Sequence, residues 1–391
     1  MRTQVGIVGA GPAGLTLALL LERAGIECVV LEDRSRQYVE TRNRAGLLEQ
    51  NTVDLMHELG AGERLAREGL VHDGINLRHQ GRTTYIAITE LTGRHVTIYG
   101  QHEVLKDLIA RALERGVDIR FEVADTAVHE LDCERPRITF RDATGARELV
   151  CDFIAGCDGF HGICRRAIPP RLLTTYDFEY GFGWLGILAR AAPATKELIY
   201  AWHERGFALY SMRSPHVSRL YLQVPADERI ERWPDERVWE ELQLRLAAEG
   251  WRVNEGEVFE KGITPMRTFV CEPMRYGRLF LAGDAAHIVP PTGAKGLNLA
   301  VNDARLLAAA LEGFYHGHSA AGLDGYSETA LRRVWRAQDF SNYMTQLLHD
   351  LDRGPFERKL QLARLEYLSR SEAAARSLAE NYAGLPATPD F

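Results

Sequence analysis

The sequence predicts an α/β protein, in which a GxGxxG-type dinucleotide-binding domain is interleaved with a β-rich domain and followed by a helical C-terminal region. A glycine-rich turn joins a strand to a helix near the N-terminus, short β-rich runs with aromatic residues fill 176–225, and the C-terminal part shows mainly helical patterns. We therefore assign 1–175 to the first part of the nucleotide-binding domain, 176–264 to the β-rich domain, and 265–391 to the return of the first domain and the helical region.

The bulk composition excludes several classes of protein. The chain has 391 residues, which favours two connected domains over one core. Its 54 acidic and 47 basic residues give a net charge of -7, so we expect no general attraction to nucleic acid or to an anionic membrane. We see no signal-peptide pattern and no apolar run long enough to cross a bilayer. The six cysteines form no CxxC pair, which indicates free thiols in a cytoplasmic protein and no metal site.

The opening motif carries the first chemical prediction. Gln4–Val8 reads as a buried strand, Leu15–Ala24 as an apolar helix, and Cys28–Leu31 as a second strand that ends in Glu32. Glycines between the first strand and the helix let a diphosphate approach the positive helix N-terminus, and Glu32 is placed to accept the ribose hydroxyls of an ADP moiety. We assign cofactor contacts in this turn to Gly9, Gly11, Ala13 and Gly14. The motif alone does not separate FAD from NAD.

Two later strands also end in an aspartate beside glycine. Asp158 follows the strand Asp152–Ala155, and Asp284 follows the strand Arg278–Ala282. Such positions at the carboxyl ends of strands are where α/β sheets bind ligands. After the second strand, a proline- and glycine-rich segment opens the apolar helix Leu299–Leu311, whose positive N-terminus suits a flavin because the reduced flavin ring is anionic.

These three segments, in this order, resemble the FAD-binding motifs of the single-component FAD-dependent aromatic hydroxylase family. The resemblance implies noncovalent FAD, with Glu32 at the adenosine ribose, Asp284 at the ribityl chain and Asp158 between the flavin and nicotinamide sites. No second complete GxGxxG unit is present, so NADPH or NADH is expected to bind transiently as a co-substrate. The further FAD contacts that we assign are Arg42, Arg44, Ala45, Gly46, Leu47, Gln101, Lys295, Leu297 and Asn298.

The nicotinamide coenzyme has its own set of expected contacts. Arg42 and Arg44 lie next to the dinucleotide motif, where arginines are suited to a diphosphate. Arg34 and Arg36 could attract the 2′-phosphate of NADPH, whereas Asp33 would repel it, so we expect that NADH is at least accepted. The residues assigned to this coenzyme are Arg34, Tyr38, Arg42, Arg44, His161, Arg165 and Arg267.

The resemblance extends along the chain to the substrate-binding segments of family members that act on a hydroxylated benzoate. The stretches that carry it are Glu197–Tyr200, 205–209 and Ser211–Ser214. By resemblance, the substrate-binding residues are Tyr200, Ser211, Met212, Arg213, Tyr221 and Pro291, with the carboxylate held by Arg213, Ser211 and Tyr221. The residues expected to act in catalysis are Tyr200 at the phenolic oxygen, Tyr382 behind it, Pro291, and His72 at the outer end of a proton path.

The implied reaction is hydroxylation of 4-hydroxybenzoate to 3,4-dihydroxybenzoate with NAD(P)H and O₂, through a flavin C4a-hydroperoxide. Removal of the phenol proton activates the ring carbon next to the oxygen, and a tyrosine hydroxyl can pass that proton on. Two alternatives remain open: hydroxylation of a related benzoate or phenol, and a non-catalytic FAD-bearing protein for redox sensing or interaction. The family resemblance also implies a homodimer.

Overall fold

The computed structural model describes residues 1–44 and 46–385. The predicted α/β class is confirmed, with a β-rich layer and a helical C-terminal region. Most strands are short, and two of them are much longer than the rest. In chain order the strands are β1 Val5–Val8, β2 Cys28–Leu31, β3 Leu47–Glu49, β4 Leu70–His72, β5 Ile75–His79, β6 Arg82–Ile86, β7 Val96–Ile98, β8 Asp118–Arg120, β9 Ala124–His129, β10 Arg137–Asp142, β11 Gly145–Val150, β12 Phe153–Gly156, β13 Thr174–Arg190, β14 Leu198–Trp202, β15 Ala208–Ser214, β16 Val217–Pro225, β17 Glu257–Glu272, β18 Arg275–Tyr276, β19 Leu279–Leu281 and β20 His287–Ile288.

The three longest described helices lie in the C-terminal part of the chain, whereas those of the first half have 5 to 14 residues. In chain order they are α1 Pro12–Arg23, α2 Arg36–Thr41, α3 Gln50–Glu58, α4 Glu63–Glu68, α5 Ile88–Thr92, α6 Gln101–Glu114, α7 Asp235–Arg245, α8 Gly296–Tyr315, α9 Ala321–Leu348, α10 Gly354–Arg370 and α11 Glu372–Ala383. Single turns of 3₁₀ helix at Gly283–Ala285 and Pro291–Gly293 precede α8.

The predicted strand–turn–helix–strand unit forms the centre of a six-stranded sheet with the order β18-β19-β12-β1-β2-β8. β1 pairs in parallel with both β2 and β12, and all four of its residues are buried. The helix α1 begins at Pro12, earlier than predicted, because proline is well suited to the first turn of a helix. A Cβ at Gly14 would lie 2.0 Å from the Gly9 carbonyl oxygen, so only glycine lets α1 close onto the turn.

A second, eight-stranded sheet has the order β20-β17-β13-β16-β15-β14-β5-β6. Its pairs are antiparallel except for β14 with β5, which run parallel. The predicted β-rich segments supply its centre, while β5 and β6 come from the part of the chain before residue 175. The domain boundaries at 175/176 and 264/265 remain a prediction.

The two largest hydrophobic cores lie against the six-stranded and the eight-stranded sheet, and α9 packs into both. Its N-terminal half places Leu323 and Tyr326 in the core of the first sheet, whereas Phe340 and Met344 pack in the core of the second. Full burial of side chains of this size stabilises a fold by about 1.5–3 kcal/mol each. The helix therefore fixes the two sheets relative to each other. None of the described helices is both long and apolar enough to cross a membrane.

Candidate active site

The glycine turn after β1 leaves room for a ligand at the N-terminus of α1. Gly9 has φ +106°, and a Cβ there would lie 2.3 Å from the Cys157 carbonyl oxygen. At Gly11, by contrast, no described atom comes within 4 Å of the position that a Cβ would take. Because the first N–H groups of a helix have no partner within it, this end of α1 suits the diphosphate of a dinucleotide.

Glu32, at the end of β2, is held by backbone amides on both of its oxygens. Its Oε2 accepts a hydrogen bond from the Ala10 N–H at 2.7 Å, and Oε1 accepts one from the Arg34 N–H at 3.0 Å. Burial, with a smaller contribution from Asp33, raises the pKa of Glu32 to about 7, and the two backbone bonds counteract part of that rise. The carboxyl group is thus positioned at the carboxyl edge of the sheet, and it has no long-range side-chain partner among the described residues.

The two later aspartates occupy different environments. The Asp158 Oδ2 accepts from the Cys164 N–H at 2.9 Å, and its buried Oδ1 has no hydrogen-bond partner among the described residues. Burial raises the pKa of Asp158. Asp284 is far more exposed, at 43% of its side chain, and lies 3.7 Å from the Arg44 Nη1. An exposed carboxylate facing an arginine is available to a polar ligand.

A buried pair that the sequence reasoning missed supports the turn that carries Asp284. The His287 Nε2 lies 2.6 Å from the Asp303 Oδ2, and the Gly283 N–H donates to the same oxygen at 2.9 Å. Burial disfavours the charged imidazole, but the Asp303 carboxylate outweighs it and raises the pKa of His287. His287, in the Gly-Asp-Ala-Ala-His segment, could have indicated this pair in the sequence, but its partner Asp303 lies in the next helix, α8.

The start of α8 is fixed against β3 by two polar side chains. The Lys295 Nζ donates to the Glu49 Oε1 at 2.6 Å and to the Tyr382 carbonyl oxygen at 2.8 Å. The Asn298 Oδ1 accepts from the Glu49 N–H at 2.9 Å, and its Nδ2 donates to the Leu47 carbonyl oxygen at 3.0 Å. Both side chains therefore have partners within the protein, so they shape this end of the site.

The remaining predicted cofactor contacts surround the same end. A Cβ at Gly46 would lie 2.0 Å from the Tyr99 carbonyl oxygen, so that only glycine permits this close approach. Gln101 is the first residue of α6 and is half-buried, as is Leu297 in the first turn of α8. Ala13 is buried in α1. Ala45 lies outside the described residues.

Two buried tyrosines meet at the interface between the second sheet and the C-terminal helices. Tyr200 lies in β14 and Tyr382 in α11, 182 residues apart, and their hydroxyl oxygens are 2.7 Å apart. Either oxygen can be the donor. Burial raises the pKa of both phenols, and for Tyr200 the bond from Tyr382 partly offsets that rise. The arrangement is suited to passing a proton between the two hydroxyl groups.

His72 is buried and paired with a carboxylate. It ends β4 with 1% of its surface exposed, and its Nδ1 lies 2.6 Å from the Glu197 Oε2. Its Nε2 has no hydrogen-bond partner among the described residues. The Glu197 side chain is 18% exposed, and Glu197 lies close enough to raise the pKa of Tyr382 as well. The sequence placed His72 at the outer end of the proton path, and the structure places Glu197 closer to the surface than His72.

Strands β15 and β16 form the predicted carboxylate end. Arg213 is half-buried, and its Nη2 donates to the Arg44 carbonyl oxygen at 3.2 Å. Burial, and then the charge of Arg219, lower the pKa of Arg213 to about 10. The Tyr221 ring lies 5.2 Å from the Arg219 guanidinium carbon, and the buried Arg219 Nη1 has no hydrogen-bond partner among the described residues. Two converging guanidinium groups fit a carboxylate, and Arg219 was not among the predicted contacts.

The other predicted substrate contacts lie around these groups. The Ser211 hydroxyl donates to the Arg219 carbonyl oxygen at 2.9 Å, and Met212 is buried with 3% exposure. Pro291 begins the 3₁₀ turn before α8 and is exposed.

Six of the seven predicted nicotinamide contacts form two groups, and the seventh, Arg44, lies beside Asp284. Arg165 and Arg267 lie over the Phe160 ring at 4.7 and 4.5 Å, and the exposed His161 contacts the same ring edge-on at 5.0 Å. A second group places the guanidinium carbons of Arg34 and Arg42 at 5.5 and 5.7 Å from the Tyr38 ring. Both groups are positively charged and contain an aromatic ring, so each can take an anionic, planar ligand.

These features define a dinucleotide-binding flavoprotein fold with a buried tyrosine pair beside its second sheet. The chain belongs to the FAD-binding domain family, whose profile matches residues 2–341. It is 49% identical over 389 residues to the p-hydroxybenzoate hydroxylase of Acinetobacter baylyi, covering 99% of this chain and 96% of the relative. It is also 27% identical to a probable NADH-specific resorcinol 4-hydroxylase of Rhodococcus jostii, covering 82% of this chain and 61% of that relative. The p-nitrophenol 4-monooxygenase of Pseudomonas putida has the same fold, with a TM-score of 0.84 at 20% identity, over 99% of this chain and all of that one.

The residues present fit FAD. The open space at Gly11 can take a diphosphate, Glu32 has a carboxylate at the end of β2 that could accept from ribose hydroxyls, and the exposed Asp284 is available to a ribityl hydroxyl. The buried Asp158 Oδ1 without a described partner lies beside the same edge of the sheet. The cofactor is FAD, with NAD(P)H as co-substrate, and the chain is an FAD-dependent monooxygenase.

Proposed function

We propose that this protein hydroxylates 4-hydroxybenzoate to 3,4-dihydroxybenzoate, with NAD(P)H, O₂ and one proton consumed and NAD(P)⁺ and water released. The observation that carries the proposal is the arrangement of polar groups on the second sheet, where Tyr200 pairs with Tyr382 of α11 at one position and two arginines lie at another. A para-substituted hydroxybenzoate has a phenol at one end, which suits the tyrosines, and a carboxylate at the other, which suits the arginines. The name of the relative at 49% identity supports the same substrate.

FAD, when bound, takes electrons from the nicotinamide coenzyme and activates O₂. The protein's part begins with orientation: Arg213, with Arg219 beside it, binds the substrate carboxylate, and Tyr221 and Ser211 complete that end. Binding at this end directs the phenol toward Tyr200. Met212 and Pro291 are the apolar contacts that we assign to the ring.

The proton of the substrate phenol then leaves along side chains of this chain. Tyr200 accepts it through its hydroxyl group while passing its own proton to Tyr382, 2.7 Å away. We propose that the proton next reaches the His72 Nε2, which has no hydrogen-bond partner among the described residues, while Glu197 holds the Nδ1–H of His72. Because Glu197 is the more exposed of the two, we propose that it hands the proton to solvent. Its carboxylate also fixes the tautomer that leaves Nε2 free to accept.

The deciding experiment measures NAD(P)H oxidation by the FAD-loaded protein with and without 4-hydroxybenzoate, with product and peroxide assayed together. Strong stimulation with one 3,4-dihydroxybenzoate formed per NAD(P)H is the expected result. Stimulation that yields mainly peroxide would mean that another benzoate or phenol is the true substrate. If FAD is bound but no benzoate or phenol stimulates oxidation, the hydroxylase proposal fails in favour of a non-catalytic flavoprotein.

We propose that NADH is accepted as coenzyme. Arg34 and Arg42 flank Tyr38, which offers two positive charges, but Asp33 lies 3.5 Å from the Arg34 Nε and reduces the attraction for a 2′-phosphate. The contacts of Arg165, Arg267 and His161 around Phe160 would serve either coenzyme. Steady-state efficiency with NADH and NADPH compares the two directly, and undetectable turnover with NADH would refute the proposal.

We further propose a cytoplasmic homodimer. Large apolar side chains are exposed on the C-terminal helices, with Trp335 and Tyr343 on α9 and Phe356 and Tyr367 on α10. Exposed apolar groups of this size are typical of surfaces that contact another protein. Light scattering coupled to size-exclusion chromatography measures the mass, and a mass of one chain at micromolar concentration would contradict the dimer. Cell fractionation tests the location.

A further inference from the structure

A groove between α8, α9 and the C-terminal end of α11 carries positive charge that the proposed reaction does not use. We call it the arginine groove and define it by Arg305 of α8 and by Arg332, Arg333 and Arg336 of α9. It shares Lys295 and Asn298 with the start of α8, but neither the glycine turn nor Pro291 lines it. It is therefore separate from the pocket that contains Arg213 and Tyr221.

The described lining of the groove carries more positive than negative side chains, and the Arg333 Nη1 donates to the Asn302 Oδ1 at 2.6 Å. Among the described residues that line it, Glu49 is the one carboxylate, and Lys295 holds it at 2.6 Å. Arg332 pairs with Glu328, one turn earlier on α9. Arg336 contacts a neutral acceptor, the Asn381 Oδ1, at 3.4 Å. Like charges gathered at a partly desolvated surface repel one another, so a bound anion would lower the electrostatic energy.

The groove also has an apolar wall and a definite size. Its apolar lining is formed by Leu299, Val301, Ala337, Phe340 and Leu385. The cavity volume is about 130 Å³. Since one water needs about 10–15 Å³ of such volume, the cavity has room for roughly ten heavy atoms. That number is close to the size of a benzene ring carrying one or two carboxylates.

We propose that the arginine groove binds a small aromatic carboxylate, at a site separate from the substrate pocket. Arg305 and Arg336 would bind the carboxylate through their planar forks, and the ring would pack against Phe340 and its apolar neighbours. The Asn302 Nδ2, buried without a hydrogen-bond partner among the described residues, offers a neutral donor.

This inference goes beyond the proposed function and does not depend on it. It nevertheless has a structural link to the tyrosine pair. The Phe340 ring lies 6.3 Å from the Tyr382 ring, and Lys295, which also lines the groove, donates to the Tyr382 carbonyl oxygen. An aromatic acid in the groove would therefore share a wall with the proton path.

The test is calorimetric titration of FAD-loaded protein with benzene-1,3-dicarboxylate at low ionic strength. Four proteins are compared: the unmodified chain, Arg305→Gln/Arg336→Gln, Arg213→Gln, and Arg23→Gln as a matched control at an exposed helical arginine of α1. We expect one saturable site per chain, weakened about tenfold or more in Arg305→Gln/Arg336→Gln, because charge-assisted bonds to a carboxylate are lost. Binding at this site should be unchanged in Arg213→Gln and in Arg23→Gln.

Three results would overturn the proposal. The first is that no saturable site is detected. The second is that Arg305→Gln/Arg336→Gln binds benzene-1,3-dicarboxylate as tightly as the unmodified chain does. The third is that Arg213→Gln loses as much affinity for it as Arg305→Gln/Arg336→Gln. A competition with inorganic phosphate at matched ionic strength tests the aromatic class, since equal displacement would show recognition of charge alone. Failure of 4-hydroxybenzoate turnover leaves these titrations unaffected, so the two proposals can fail separately.

Discussion

The cofactor end and the substrate end of this molecule hold their polar groups in different ways. Glu32 is fixed by two backbone amides, from Ala10 and from Arg34 two residues further on, within one strand–turn–helix–strand unit. Tyr200 is fixed by Tyr382, 182 residues later, and both are buried where β14 meets α11. The contacts at the cofactor end can thus be predicted from the spacing of residues along the chain, whereas those at the substrate end form only when distant elements pack together. We expect single substitutions to have larger chemical effects at the substrate end.

The largest effect is expected for Tyr200→Phe, which removes one hydroxyl group from the buried pair. A positioned acid–base group contributes about 10²–10⁴-fold to a rate, so hydroxylation should fall by about 100-fold or more. Product and peroxide formed per NAD(P)H oxidised give the measurement. Tyr326→Phe is the control, since that buried hydroxyl donates to the Leu281 carbonyl oxygen at 2.8 Å in the other core. An equal loss in both variants would show that the effect is structural.

Arg213→Gln should weaken substrate binding about 10- to 100-fold, because bonds to a charged group contribute about 1.5–3 kcal/mol. The dissociation constant of 4-hydroxybenzoate, measured through the flavin absorbance change, checks this. Arg190→Gln, an exposed arginine of β13 paired with Glu257, is the matched control and should bind normally. Unchanged affinity in Arg213→Gln would remove the arginine from the substrate site.

Glu32→Gln should weaken FAD binding about tenfold, because one charge-assisted bond to the ribose is replaced by a neutral one. Fluorescence titration of the apoprotein with FAD measures the change, and the exposed Glu27→Gln provides the control. If FAD affinity fell as little in Glu32→Gln as in Glu27→Gln, the ribose assignment would be wrong. If Glu32→Gln weakened FAD binding more than Arg213→Gln weakened substrate binding, substitutions at the cofactor end would have the larger effect, contrary to our expectation.

Glu197→Gln should slow proton release about 3- to 10-fold, since the amide oxygen still accepts from His72 but no longer carries a charge. The rate of phenolate formation of bound substrate, followed by stopped-flow absorbance across pH, is the readout. A merely structural role would lower stability and leave the pH profile unchanged. Glu90→Gln, a carboxylate outside the pair, is expected to behave like the unmodified chain.

The smallest effect concerns the stability of the apoprotein against pH. The pKa of Glu32 is raised in the folded protein to about 7, from an ordinary value of 4.5. Between these values the folded chain keeps a proton that the unfolded chain has released, so stability falls as pH rises through this window. The thermal midpoint of the unmodified apoprotein, relative to Glu32→Gln, should therefore decrease from pH 4.5 to pH 7. A relative midpoint that rises with pH would contradict the direction of this shift.

The sequence by itself determined the parts of the molecule whose partners are close along the chain. Three features could be predicted from the sequence because each depends only on its own strand and the turn that follows. They are the glycine turn, the acidic end of β2 and the Asp-Gly segments. The FAD family and the α/β class follow from them and are confirmed. The residue assignments at the site remain predictions, although many of the assigned residues lie beside one another in the structure.

Only the tertiary structure decided which distant side chains face each other. Nothing local in the sequence pairs His72 with Glu197, His287 with Asp303, or Lys295 with Glu49, because each pair joins different elements of the fold. The same is true of Arg219, whose strand register opposite Ser211 brings it beside Arg213. Burial has a similar origin, since a histidine or a tyrosine loses water only when separate elements pack over it. Chemistry that depends on residues close in the chain can therefore be predicted from the sequence, whereas long-range pairing and desolvation are determined by the tertiary structure.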